Sequence, residues 1–407
     1  MKMVRAPTPE RMDAIMEPRN SSSGHRMRMI VAAVIALLVS ITILLAGLWP
    51  LQFHPENHAR WIPGDSGIRF GRLGMVYSKQ PVYGSQLALQ PGQPMSIELA
   101  IRPAAEPSNG IGNILTIFDE SGHDVLLLGQ WKNHFILRTS VNGDAGILSY
   151  RETGVDNVLQ MNVLRHLCAV FQPNGVAIYI DGQPAHFSHR FPVPPQGKGG
   201  TANLILGNSP DGKNSWKGDF FFLSFYGGTL TPEEVSRLHL ARSGGSDVPE
   251  ELPAPPVLSY SFDEHIGTIA RNREDSHYDL SIPPEFHMPI KTFLVPPWKE
   301  HPRLLPYLKD VIVNVLGFIP FGFFCMALFH REAQPSSTAA IGVEMLGLGV
   351  SLAIELTQAY LPTRSSSLMD VFSNLLGTVI GILLFRRTLH FFNRTLALRS
   401  QIAISKR

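Results

Sequence analysis

The sequence predicts a membrane protein of mixed class, in which an all-β domain outside the bilayer is carried by an α-helical bundle of four transmembrane helices. Three observations predict it. Of the 407 residues 44% are hydrophobic and only 17% charged, and the apolar ones are segregated. They dominate 29–49 and 311–385, whereas 57–300 is rich in Gly and Pro and alternates short apolar segments with turn residues. Basic residues collect at the two ends, as expected of termini that remain on the cytoplasmic side.

These patterns divide the chain into a cytoplasmic tail (1–28), a first transmembrane helix (29–49), an external β domain (57–300), a transmembrane domain (307–386, with helices over 311–329, 341–361 and 371–385) and a basic cytoplasmic tail (387–407). The formal charge of +2 comes with no basic patch interleaved with aromatics, which argues against a nucleic-acid partner. Cys168 falls in a strand-like run and Cys325 in an apolar helix. With no disulfide expected between them, the β domain must rely on its own core.

Residues 1–28 carry Lys2, Arg5, Arg11, Arg19, Arg26 and Arg28 without apolar periodicity. Met29 to Leu48 is uncharged and long enough to cross roughly 30 Å of hydrocarbon. A cleaved signal peptide is the competing reading, but the apolar core is too long for one and Trp49-Pro50 ends it without a small-x-small site. Alternation then predicts strands at Ser96–Arg102, Ile114–Phe118, Val125–Leu128 and Phe135–Thr139, with turns at Glu120–His123 and Lys132-Asn133. Leu167–Phe171, Pro173-Asn174-Gly175 and Val176–Ile180 read as a hairpin closed by Asp181-Gly182, and Ala202–Leu206 and Asp219–Tyr226 as two further strands. Thr231-Pro232-Glu233-Glu234 supplies an N-cap hydroxyl, a proline at the first helical position and a capping-box glutamate, so a helix should run from Thr231 to Arg242. A Gly, Ser and Pro linker (243–256), a strand at Val257–Phe262 and a Pro-rich approach to the membrane (283–306) follow.

The soluble part resembles the laminin G-like, concanavalin A-like jelly-roll domains over roughly residues 65–290. The resemblance is carried by Ile97 to Arg102, the hairpin Arg165 to Gly182, Leu206-Gly207-Asn208, Trp216-Lys217-Gly218 and Phe225-Tyr226 before the capped helix. It implies a jelly-roll sandwich. Phe220-Phe221-Phe222-Leu223 stands where such domains often place an acid, which departs from the pattern of their calcium-binding members.

In the C-terminal part, polar residues interrupt the apolar spans in a fixed arrangement. Asp310 and Asn314 are four apart, Glu355 and Gln358 lie in the last turns of one span, Arg364 lies in the following loop, and Asp370 and Asn374 open the last span. With both termini inside, all seven gather near the outer leaflet. Gly347, Ser351 and Glu355 share one helix face, and Asn374, Gly377 and Gly381 another, a small-residue spacing that lets membrane helices pack backbone to backbone. Pro320 removes a helix hydrogen bond in the first of these spans. Asn314-x-x-x-Phe318-x-Pro320-Phe321-Gly322, Glu355-x-x-Gln358, Pro362-x-Arg364, Asp370 and Asn374-x-x-Gly377-x-x-x-Gly381 resemble the VanZ-like family over 310–386. The resemblance implies a bacterial cytoplasmic (inner) membrane, with the β domain inserted in the first external (periplasmic) loop. It also implies a link to the cell envelope and to low-level resistance to the glycopeptide teicoplanin.

Polar residues within spans serve either as interhelical glue or as a binding site. The seven form a candidate outer-leaflet mouth, where Arg364 could neutralise Glu355 or Asp370, or hold the phosphate of a lipid headgroup or lipid-linked cell-wall precursor. On the β domain Trp131, Trp216 and Tyr226 are candidates for stacking on a sugar, against the alternative that they are core. No His-Glu-x-x-His or comparable spacing occurs, so no metal and no cofactor are expected. Asp119-Glu120 and Asp263-Glu264 read as solvated turns, and no strand carries the alternating acids that glycosidases of this architecture need. The sequence therefore points to a non-enzymatic membrane protein presenting a carbohydrate- or protein-binding module. The alternatives are a membrane enzyme acting on a lipid-linked substrate, with Glu355 or Asp370 as base, and a membrane-anchored adhesin.

Overall fold

The computed structural model describes residues 21–108, 110–142, 148–244, 255–291, 293–297, 304–329, 336–364 and 366–405. It has two compact units, one of Gln52–Lys291 and one built from the N-terminal helix and the three C-terminal helices.

The first unit is a jelly-roll-like sandwich of two sheets, and every pairing between its named strands is antiparallel. One sheet runs β1 (Ala59–Trp61), β2 (Ile68–Phe70), β14 (Gly218–Tyr226), β5 (Met95–Pro103), β10 (Arg165–Gln172), β11 (Gly175–Ile180) and β12 (Gln183–His189), with β15 (Leu258–Tyr260) also on β14. The other runs β16 (Ile269–Ala270), β17 (Leu280–Ser281), β3 (Val76–Ser78), β13 (Thr201–Leu206), β6 (Ile111–Asp119), β7 (Asp124–Trp131), β8 (His134–Asn142) and β9 (Leu148–Val155), with β4 (Tyr83–Gly84) on β13. The anticipated strands and the hairpin across residues 173–175 are present. The very short strands β1 to β4, β16 and β17 gave too little alternation to be recognised, and polar β9 and β12 carry no apolar period.

Alternation along β5 separates two environments. Ile97, Leu99 and Ile101 enter the core between the sheets with Leu167, Phe171, Trp216 and Phe220. Cys168, Val170, Tyr179 and Tyr226 form a second apolar layer with Leu230, Val235 and Leu238, the last two on helix α2 (Pro232–Arg242). That helix begins at the predicted capping box: Glu234 N–H donates to the Thr231 hydroxyl at 3.2 Å and Thr231 N–H to the Glu234 carboxylate at 2.7 Å. Because α2 covers this face, β5 is buried on both sides.

The second unit holds α1 (Ser21–Leu48), α3 (Leu304–Phe329), α4 (Ser337–Tyr360) and α5 (Leu368–Ser405). Each contains a segment long and apolar enough to cross a membrane, namely Met29–Leu48, Tyr307–Phe329, Ser337–Tyr360 and Leu368–Thr395. Two boundaries differ from the sequence expectation. Helix α1 starts at Ser21 within the anticipated tail, whose first 20 residues lie outside the described ones. Helix α5 continues to Ser405, well past 385, because no proline or glycine follows Gly381 to stop it.

The close helix approach follows the small-residue pattern. A Cβ on Gly377 would sit 2.3 Å from the Val315 carbonyl oxygen, and one on Gly381 2.2 Å from that of Ile319, both in α3. One on Gly322 of α3 would meet the Thr378 carbonyl oxygen of α5 at 2.2 Å. Gly347 of α4 packs on the Thr378 side chain. Gly347, Ser351 and Glu355 all lie on the buried face of α4. Helix α3 is continuous across Pro320.

Candidate functional site

Five of the seven polar residues singled out in the bundle take part in contacts that join one element to another. Asn314 of α3 donates to the Asp370 carboxylate of α5 at 2.8 Å. Asn374 of α5 donates to the Ser351 hydroxyl of α4 at 2.9 Å, and Gln358 of α4 to the Gly47 carbonyl near the end of α1 at 2.7 Å. Arg364, in the loop between α4 and α5, donates to the Trp49 carbonyl at 2.5 Å. A sixth residue, Glu355, 1% exposed, accepts the Ser367 backbone N–H at 2.8 Å. Together these contacts stitch all four helices, which is the chemistry of interhelical glue, because a polar group in hydrocarbon gains most from a fixed partner. Two buried atoms keep unused capacity, Arg364 Nε and Asn374 Oδ1. Asp310 is exposed on α3 and is not drawn into this network by any hydrogen bond among the described residues.

The aromatic candidates on the sandwich separate cleanly. Trp216 is fully buried, with its indole N–H donating to Gln130 Oε1 at 2.7 Å, and Tyr226 is 2% exposed, with its hydroxyl donating to Glu98 Oε2 at 2.7 Å. Neither can stack on a sugar. Both are large residues whose single polar atom found a buried partner, which lets a strand place them in the core. Trp131 is 42% exposed at the end of β7. Its ring stacks on His134 at 5.1 Å between centroids and an interplanar angle of 28°, and Lys132 Nζ lies 4.9 Å from its centroid. His134 is in turn held by Asp156 at 2.7 Å. Of the three aromatic candidates Trp131 is the one that solvent reaches, and its neighbours brace it.

The sandwich also contains charge clusters that sequence reasoning missed. Glu98 is fully buried and accepts from Tyr226 and from His166 Nε2 at 2.8 Å, with Arg242 of α2 at 3.7 Å. Burial raises its carboxyl, but His166, Arg242 and Tyr226 together hold it below the usual range. Asp219 accepts from Arg69 at 2.7 and 3.0 Å and from Arg102 at 2.7 and 3.1 Å. Burial opposes and the two guanidiniums win, so this carboxyl also lies below its ordinary value. The partners come from different strands, and only the glutamate inside the apolar run Ile97-Glu98-Leu99 was a local signal. The turn acids serve the backbone: Asp119 accepts the N–H groups of Ser121, His123 and Lys198. Asp263 pairs with Arg273, and Glu264 Oε1 accepts the Arg271 N–H at 2.6 Å. Both cysteines are free and buried. Among the described residues no group of three or more His, Cys, Asp or Glu could hold a metal ion.

Comparison with known proteins agrees with this two-part reading. Residues 79–236 match the family model described as the concanavalin A-like lectin/glucanases superfamily, and residues 259–392 match the VanZ/LLP1 model. No curated protein matches the chain. Similar solved structures include a native heptameric SAP-like pentraxin from Limulus polyphemus, at 14% identity and a TM-score of 0.32, covering 50% of this chain and 88% of that one. A putative carbohydrate binding protein from Bacteroides ovatus is 15% identical with a TM-score of 0.37, covering 53% and 57%. The CBM40 of Ruminococcus gnavus IT-sialidase, bound to α2,3 sialyllactose, is 12% identical with a TM-score of 0.30, covering 36% and 83%. The chain is thus a membrane protein in which a concanavalin A-like sandwich is joined to a segment matching VanZ/LLP1.

Proposed function

We propose that this protein is a membrane-anchored carbohydrate receptor, with the sandwich binding glycan on the outer side of a bacterial cytoplasmic membrane and the four helices serving as its anchor. The observation that carries this reading is the exposed, braced plane of Trp131 on a sandwich matched by a lectin superfamily model. The basic run Arg386, Arg387 and Arg394 without an acid favours a cytoplasmic end for α5 and hence an external sandwich. The interhelical roles of Asn314, Gln358, Asp370 and Asn374 favour an anchor over an enzyme, since a catalytic acid or base needs to reach a substrate.

The test is binding of the full-length protein, in lipid nanodiscs, to an array of cell-wall and neutral glycans. Wild type should bind at least one class and Trp131→Ala should bind it about tenfold more weakly with an unchanged thermal midpoint, as expected when a stacked aromatic is lost. No binding to any glycan would overturn the receptor reading.

A second role rests on Arg364, whose Nε is buried without a partner. Its guanidinium has donors to spare for the phosphate of a lipid headgroup or lipid-linked envelope precursor, the contact through which a role in glycopeptide resistance would operate. Native mass spectrometry should find fewer retained phosphatidylglycerol molecules on Arg364→Gln than on wild type, and equal retention would remove this role.

A further inference from the structure

At the edge of the second sheet the chain makes an open cleft of about 710 Å³, lined by the loop before β16, by β16 itself and by the turn before β17. It is distant from Trp131. Between β16 and β7 lie β17, β3, β13 and β6, so at about 4.8 Å per strand the two places are roughly 24 Å apart across the sheet. It also lies outside residues 79–236, the part matched by the lectin superfamily model.

The cleft is preformed. The Trp61 indole N–H donates to the Gly267 carbonyl at 2.9 Å, fixing the loop from outside, and the Ile282 N–H donates to the Thr268 carbonyl at 2.8 Å. Asn272, 6% exposed, organises the opposite wall: its N–H donates to Asp279 Oδ1 at 2.8 Å, and its Oδ1 accepts from the N–H groups of Glu274 and Asp275. Two polar atoms in these walls are buried without a completed hydrogen bond. One is Glu264 Oε2, whose sister oxygen is committed to the Arg271 N–H; the other is Asn272 Nδ2, which has the Tyr260 hydroxyl as its neighbour. An orphaned buried acceptor and an under-used donor on two residues that line one cleft are costly unless a partner completes them.

The lining also selects a kind of ligand. Thr268 and Ser276 add two hydroxyls that can each donate or accept, while Ile266, 80% exposed, offers an apolar surface at the rim. The carboxylates of Glu264 and Asp279 outnumber the guanidinium of Arg271, so an anionic ligand is repelled. Alternating donors and acceptors beside an apolar rim, without net positive charge, match the hydroxyls and C–H face of an uncharged sugar.

We propose that this cleft is a second saccharide site, taking a neutral monosaccharide unit with one ligand hydroxyl donating to Glu264 Oε2. The proposal rests on the receptor reading above but places a binding site outside residues 79–236, the part matched by the lectin superfamily model. Two such sites on one domain, separated by roughly 24 Å across the sheet, would engage a single extended glycan at two points and raise its residence by linkage.

The test uses full-length protein in nanodiscs, titrated by saturation-transfer NMR with glucose, galactose and N-acetylglucosamine, with N-acetylneuraminic acid and calcium chloride as contrasts. Glu264→Gln keeps the shape and removes the charge, and should weaken binding of the responding neutral sugar about tenfold. Ser276→Trp fills the cleft from an exposed position and should abolish the part of the signal that Trp131→Ala leaves. Thermal midpoints within about 2 °C of wild type exclude misfolding, and Ile266→Ala, a change at a rim residue, provides a third variant if either of the first two is unstable. If Trp131→Ala abolishes all sugar binding while the cleft variants bind normally, the receptor reading stands and the cleft is overturned. If no neutral sugar binds at all, both fail. Calcium binding that Glu264→Gln removes, with no sugar response at the cleft, would overturn the proposal in favour of a cation site.

Discussion

The sandwich and the helix bundle solve the same problem, a polar group buried among apolar ones, in different ways. In the sandwich, buried charge meets opposite charge: Glu98 with His166 and Arg242, Asp219 with Arg69 and Arg102. The apolar core between the sheets supplies the driving force, so ion pairs there are tolerated extras that become costly when broken. In the bundle three contacts run from an amide or guanidinium to an uncharged oxygen: Asn374 to Ser351, Gln358 to Gly47 and Arg364 to Trp49. Lipid is as apolar as leucine, so helices are drawn together by close backbone approach and by modest hydrogen bonds. The difference teaches where each unit is fragile: the sandwich at its few charges, the bundle at its glycines.

Removing a charge partner tests the first half of that contrast with the largest effect. Glu98→Ala strands His166, Arg242 and the Tyr226 hydroxyl, and should destabilise the sandwich by about 3–5 kcal/mol, read as a lower thermal midpoint. A loss under about 1 kcal/mol would mean the cluster is not the sandwich's weak point. In the bundle Gly381→Val puts a side chain 2.2 Å from a carbonyl oxygen of α3, and overpacking of this kind costs about 1–3 kcal/mol. Steric-trapping measurements in bicelles should show it, and an unchanged value would mean that α3 and α5 need not touch.

Asp219→Asn weakens two ion pairs, but Arg69 is 59% exposed and solvent screens it, so about 1–2 kcal/mol is expected. The pH dependence has a definite sign. The folded carboxyl lies below its unfolded value near 3.9, so its contribution is complete above that value and disappears as pH falls through the lower, folded one. Wild type and Asp219→Asn should therefore melt progressively closer together as pH is lowered from about 5 towards 2, and a constant gap would contradict the pairing. The smallest effect is expected for Asn374→Leu, about 0.5–2 kcal/mol of bundle stability. A larger loss would make amides, and not glycines, the dominant glue.

Much of this was readable in advance, for reasons specific to each element. The capping box at residues 231–234 was legible because its four residues act on one another. The close approach of α3 and α5 was legible because Gly377 and Gly381 recur at helical spacing. The polar set of the bundle was legible residue by residue, but its hydrogen-bond partners were not: Arg364 was read as able to neutralise Glu355 or Asp370 or to hold a phosphate, and its guanidinium donates to the Trp49 carbonyl, 315 positions away in sequence. Trp131 and Trp216 look alike in the sequence, each beside a turn, yet one is half-exposed and the other fully buried.

By itself, then, the sequence determined the class of each region, because hydrophobic period and run length are local properties set by the geometry of helix, strand and bilayer. It also determined which polar residues would be expensive to bury. Only the tertiary structure decided their partners, since Glu98, His166, Tyr226 and Arg242 come from four different elements. It alone decided that a cleft forms beside Glu264 and that one tryptophan of two faces outward, because exposure depends on what the rest of the fold lays over a residue.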